Sequence, residues 1–120
     1  MGDTRSTTIK IVNSTDLILQ LSDPQPLKLG QWAISPPAEI DQGQTSPTFE
    51  AIAGFAEAGV DGSVTYTSQA GAFTFYFTNP NTGPNTYNAK GPKNYKVDHT
   101  TGAGEVATVT FSIESDPTSR

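Results

Sequence analysis

The chain's capacity for covalent chemistry rests on very few residues. His99 is the only histidine, and the 120 residues contain no cysteine. A zinc site built on one histidine needs several carboxylates at suitable spacing, and none is placed that way. Nucleophilic catalysis would pair a serine or threonine with His99 and an orienting carboxylate. Hydroxyls are abundant, but none sits in a Gly-x-Ser-x-Gly elbow or similar frame. Glu39/Asp41 and Glu57/Asp61 are acidic pairs of the kind that serves glycoside hydrolysis, yet they fall in loop-like sequence, where carboxylates are ordinarily just solvated. Gly102-Ala103-Gly104 is followed by Glu105 rather than lysine, so it reads as a turn and not as a phosphate cradle. Asn13-Ser14-Thr15 fits a glycosylation acceptor, but no export signal gives it weight. The expectation is a protein that is not an enzyme, with no catalytic residue, no metal and no cofactor.

Groups suited to noncovalent recognition are more plentiful. Residues 73–87 read Phe-Thr-Phe-Tyr-Phe-Thr-Asn-Pro-Asn-Thr-Gly-Pro-Asn-Thr-Tyr. Phe73, Phe75 and Phe77 alternate with Thr74, Tyr76 and Thr78, so phenyls share one face and hydroxyls the other. The turn that follows carries Asn79, Asn81, Asn85 and Tyr87, and Tyr76 and Tyr87 suit a wet surface. Trp32, the single tryptophan, lies beside a proline-rich stretch. There an indole could be half buried and half wet, although a lone tryptophan in a β-protein also fits core or edge packing. Three of the seven basic residues cluster at Lys90, Lys93 and Lys96, as a solubilising edge or as a contact for anionic headgroups or an acidic partner. A net charge of −5 argues against general nucleic-acid binding, which needs clustered Lys and Arg.

The elements that must position these groups are short strands. Ile9 and Ile11, then Leu17, Leu19 and Leu21, alternate around Asn13-Ser14-Thr15-Asp16, so residues 7–22 read as a hairpin. Leu27, Leu29 and Trp32 suggest a third strand ended by Pro36-Pro37, and residues 35–47 read as a long loop. Phe49, Ala51 and Ala53 alternate next, then Val64 and Tyr66. Ser68-Gln69-Ala70-Gly71 joins that strand to the aromatic one. Tyr95 and Val97 mark another, and Val106 to Ile113 closes the chain with Ala107, Val109, Phe111 and Ile113 on one face. No dozen-residue stretch has a 3.6-residue apolar repeat, and Gly54 and Gly59 interrupt the alanine-rich residues 50–60. The expected fold is all-β: a single-domain antiparallel β-sandwich over 1–120, with residues 1–6 and 115–120 as polar tails. The polar N-terminus has no apolar stretch behind it, so no signal peptide is expected and the chain reads as soluble.

Several blocks in order resemble the aegerolysin family, most closely the small component of bacterial two-component insecticidal toxins. Ile9-Lys10-Ile11-Val12-Asn13 with Leu19-Gln20-Leu21 is similar to the family's opening hairpin, and Gly30-Gln31-Trp32 to Pro36 to its Gly-x-Trp-x-x-Ser-Pro segment. Gly62-Ser63-Val64-Thr65-Tyr66 resembles its middle strand. Tyr76-Phe77-Thr78-Asn79-Pro80, then Gly83 and Asn85-Thr86-Tyr87, resembles the aromatic-strand-and-turn block of the insecticidal branch. Gly102-Ala103-Gly104 and Val109 to Ile113 resemble the closing strand. The resemblance covers roughly residues 7–114. It implies an aegerolysin-like sandwich that binds a membrane lipid or receptor of a target cell. A larger pore-forming partner, perforin-like or of the β-pore-forming insecticidal type, would supply the pore, and oligomers are compatible with it. Asn81 takes the place of a fungal tryptophan, and Ala58 that of a glutamate tied to sphingolipid selectivity, so fungal lipid specificity does not transfer. The candidate lipid-, receptor- or partner-binding residues are Trp32, Tyr76, Asn79, Asn81, Asn85, Tyr87, Lys90, Lys93 and Lys96, and the resemblance implies action outside the cell that makes the protein. A soluble, lectin-like carbohydrate-binding module uses the same ingredients and is the alternative.

Overall fold

Period-two patterning becomes ten strands. In the computed structural model, residues 5–22, 27–53, 59–80 and 83–116 are described. The strands are β1 (Ser6–Ser14), β2 (Leu19–Leu21), β3 (Gln31–Ile34), β4 (Glu39–Ile40), β5 (Phe49–Ile52), β6 (Gly59–Ser68), β7 (Gly71–Pro80), β8 (Thr86–Lys90), β9 (Tyr95–His99) and β10 (Val106–Ser115). They form two five-stranded sheets, ordered β3-β5-β1-β10-β9 and β4-β2-β6-β7-β8. The described residues contain no helix.

The alternating apolar residues of both sheets meet in one core. Phe73, Phe75, Phe77, Val64 and Tyr66 from the second sheet, and Ile9, Ile11, Phe49, Val109, Phe111 and Ile113 from the first, are fully buried. The Phe75 and Phe111 rings touch across the layers, 5.0 Å between centroids. The sandwich and its aromatic core are therefore as the alternation predicts. The β6–β7 hairpin also forms at Ser68–Gly71, where the Ser68 hydroxyl donates to Gly71 O (2.9 Å) and accepts from Ala70 N–H (3.1 Å).

Four features differ from the sequence-based expectation. Residues 7–22 are not a hairpin: β1 pairs with β10 and β5, whereas β2 pairs with β6 and β4 in the other sheet. Buried Asn13 braces the crossing, its Nδ2 donating to Leu17 O (2.9 Å) beyond the turn and to Asp41 O (3.0 Å). The sheets are antiparallel with one exception, since β1 and β10 run parallel at the centre of the first sheet. Nothing local encodes that pairing between chain ends. The third strand starts later than Leu27; Leu29 forms only an isolated bridge with Asp61, and Leu27 packs against the core. Finally, Thr86–Lys90 is a strand rather than part of a turn, and β4 lies within the long loop of residues 35–47.

The ends of the chain are tied in further than their polarity suggests. Ser6 is buried and begins β1, with its N–H donating to Glu105 O (2.8 Å). Ser115 pairs with Tyr95. Arg5 O accepts from Ala53 N–H (2.9 Å) and Asp116 N–H donates to Asn94 O (2.8 Å); the rest of the two expected tails, 1–4 and 117–120, lies outside the described residues.

Candidate functional site

Strand register gives the sandwich two distinct ends. Ser6, Ile52 and Val106 lie at one level in the first sheet, and Gly59 and Pro80 close the second sheet at the same end. Ser14, Glu114 and the Ser68–Gly71 turn lie at the other. A ten-residue strand rises about 33 Å, so the two ends are remote.

At the first end the structure gathers Asn79, Asn85, Tyr87 and Trp32, and it ties most of their polar atoms down. Asn79 is fully buried. Its Nδ2 donates to Ser6 O and to Glu105 O, both at 2.9 Å, which clamps the end of β7 to the starts of β1 and β10. Its Oδ1, like the buried Thr7 hydroxyl, has no hydrogen-bond partner. Asn79 is thus a structural amide, not a wet one. Asn85 Nδ2 donates to Gly104 O (3.0 Å) and the Tyr87 hydroxyl to Gly102 O (3.0 Å), stitching β8 and the residues before it to the turn before β10. A Cβ at Gly102 would collide with the Thr108 backbone, so this turn approaches β10 too closely for a larger residue. Burial pushes the Tyr87 phenol above its ordinary value, opposed by its hydrogen bond with Asn85. The Tyr87 ring sits 5.9 Å from that of His99, which lies 6.0 Å from Phe111. His99 therefore packs at the seam between the sheets.

Trp32 is a wedge. Half-buried on edge strand β3, its indole sits 5.7 Å from Phe49 and 5.9 Å from Phe77, closing the sandwich between residues of both sheets. Its core contacts fit edge packing, with a remaining wet edge. Around these anchored groups the exposed rim includes Gly83, Pro84, Thr86, Glu105 and Val106, the last 69% exposed. Sequence reasoning passed over Val106, because the first residue of a strand shows no periodicity of its own.

The remaining candidates lie elsewhere. Tyr76 faces outward in mid-sheet, between Ser63 and Asn88 in register, with Lys90 Nζ 5.7 Å from its ring centre. Strand β8 carries Lys90 away from the first end, since Thr86 pairs with Thr78 and Lys90 with Thr74. Lys93 is exposed in the β8–β9 turn, and Lys96 pairs across the sheet with Glu114 near the far end. The Lys96–Glu114 ion pair is long (4.0 Å) and more than half exposed on both sides, so it contributes little stability. The three lysines do not fringe Trp32 and the residue 79–87 region. Asn81 and Ala58 lie outside the described residues.

The architecture defines a class: an all-β, aegerolysin-like sandwich of two five-stranded sheets. No family model matches the chain, and no curated protein matches its sequence. Solved structures do match its fold. The lipid binding protein Nakanori superposes with a TM-score of 0.80 at 14% identity, covering 99% of this chain and 73% of that one. The RahU protein, solved in complex with a Tris molecule, gives 0.75 at 13% identity over 92% and 95%. IP-1A from Alcaligenes faecalis gives 0.65 at 14% identity over 92% and 91%.

Proposed function

We propose that the protein is a membrane-binding module whose lipid- or receptor-facing surface is the end formed by Trp32, Asn85, Tyr87 and the exposed rim at Pro84, Thr86 and Val106. The observation that carries this reading is the fold shared with a lipid binding protein over 99% of the chain. The geometry supports it. The rim is held in place by Asn79, Asn85 and Tyr87, so little conformational entropy is lost when it docks. Aromatic groups with one apolar and one polar edge suit the headgroup level.

In this reading the module is a non-enzymatic targeting half of a two-component pore-forming toxin of the insecticidal kind. It acts outside the producing cell and recruits a larger protein that supplies the pore. The sandwich uses its long alternating strands in its own core, which leaves none of those strands to line a membrane barrel. Co-sedimentation with vesicles made from lipids of susceptible cells tests the first step, and dye release tests the second. The expected result is binding without leakage by the protein alone, and leakage only when the partner is added. Leakage by the protein alone, at concentrations where the pair is active, would contradict the division of labour.

A further inference from the structure

The end remote from that rim carries a groove of about 580 Å³, within the usual range for small-molecule sites. We propose that this groove is a binding site for a neutral sugar, with Asp16, Gln20 and Gln69 supplying hydrogen bonds and Ile18 the apolar contact. The inference stands on residues distinct from those of the proposed membrane surface.

Three walls form the groove, and each is stapled by its own hydrogen bonds. The β1–β2 connection is fixed by buried Asn13, whose Nδ2 donates to Leu17 O (2.9 Å) and Asp41 O (3.0 Å). Asn13 Oδ1 accepts from the Thr15 hydroxyl (2.6 Å) and the Thr15 N–H (3.2 Å). The Thr15 hydroxyl oxygen in turn accepts from Leu17 N–H (3.0 Å). Gln42 forms the second wall and locks it to the first, Nε2 donating to Asp16 O at 2.8 Å. The Ser68 turn forms the third and holds Gln69 at its tip.

The groups left over define the ligand. The side chains of Asp16, Gln20 and Gln69 bond to no described residue, although Asn13, Thr15, Gln42 and Ser68 around them are engaged. A carboxylate offers acceptors, and each primary amide offers two donors and an acceptor. That mixture matches adjacent hydroxyls, each of which donates and accepts. Ile18, 43% exposed on this wall, can cover the C–H face of a sugar ring. Among the described residues no Lys, Arg or His lines the groove, and Asp16 is the one charged residue there, so phosphate and other anions are disfavoured.

The test is a titration of the intact, isotopically labelled protein followed by its amide NMR spectrum, with glucose, galactose, mannose and N-acetylglucosamine added separately. Sites of this kind bind one ring at roughly millimolar concentration. The expected result is saturable shifts of the Asp16–Gln20, Gln42 and Gln69 amides with at least one sugar. Asp16→Ala and Gln69→Ala should each weaken that binding about tenfold while the rest of the spectrum stays native. Phosphatidylcholine vesicles with and without a neutral glycolipid distinguish a free sugar from a membrane-borne one: the variants should lose only the glycolipid-dependent increment. No saturable shift with any of the four sugars overturns the proposal. So do shifts confined to another surface, or shifts given by Tris or phosphate and not by sugar. Each of these outcomes is independent of whether the opposite end binds membranes.

Discussion

The two ends of the sandwich begin from the same ingredients and use them in opposite ways. Both are rich in amides and hydroxyls between strands. At the Trp32 end, Asn79, Asn85 and Tyr87 spend their donors on the backbone of the β1 and β10 entrances. What remains exposed there is Val106, Pro84 and Gly83 together with the polar Thr86 and Glu105. At the hairpin end Asn13, Thr15, Gln42 and Ser68 carry the internal bonding, and the side chains of Asp16, Gln20 and Gln69 bond to no described residue. An asparagine in a turn sequence cannot be counted as a ligand group until its own hydrogen bonds are accounted for.

Truncation of the two clamps measures that contrast. Asn13→Ala strands Leu17 O, Asp41 O and the Thr15 donors and should cost about 3–5 kcal/mol. Asn79→Ala loses two bonds but also removes a carbonyl oxygen that is buried without a partner, so about 1–2 kcal/mol is expected. Denaturant unfolding of both variants checks the order. An Asn79 variant as costly as the Asn13 one would mean that the first end is not the looser clamp.

A pH series probes the buried phenols, Tyr66 above all. Burial pushes the Tyr66 phenol far above its ordinary value, and its hydroxyl donates to Pro37 O at 2.6 Å. A phenol raised on folding contributes stability that is complete below its unfolded value, near pH 10, and is lost progressively as pH rises above it. Thermal unfolding should therefore be insensitive to this group at neutral pH and fall steeply above about pH 10. Tyr66→Phe should flatten that alkaline fall while costing about 1 kcal/mol at pH 7. An unchanged alkaline slope in the variant would assign the effect to another group.

Thr7→Val gives the smallest effect. The Thr7 hydroxyl is buried without a partner, so an apolar group of the same shape should be neutral or stabilise by up to about 1 kcal/mol. A loss above about 1 kcal/mol would mean that the hydroxyl does bond in the folded protein, for example through a buried water.

The sequence was legible where side-chain alternation alone decides position. Phe73, Phe75, Phe77, Val109, Phe111 and Ile113 are all fully buried, because period-two apolar residues can face only one side of a strand. Strand β8 escaped because it is an edge strand with only Tyr87 and Ala89 half-buried, and its polar residues follow a Pro/Gly turn. The parallel β1–β10 pairing joins the two ends of the chain, and no local pattern encodes it. The site was less legible than the fold. Trp32 and Tyr87 do come together at one end of the sandwich, yet Asn79 reads the same in a turn whether it is wet or clamped. The Lys90–Lys96 spacing gave no warning that β8 leads away from Trp32. The groove was missed because Asp16, Gln42 and Gln69 come from three separate connections.

The most direct test of the central claim uses the lack of cysteine in the chain, since a single introduced thiol carries one fluorophore. An environment-sensitive dye on Val106→Cys and, separately, on Gln69→Cys reports which end meets a membrane when vesicles of susceptible-cell phospholipid, free of glycolipid, are added. The account predicts a blue shift and protection from aqueous quencher at position 106, with position 69 remaining wet and quenchable. Protection at position 69 with none at 106 would place the membrane at the hairpin end and contradict it.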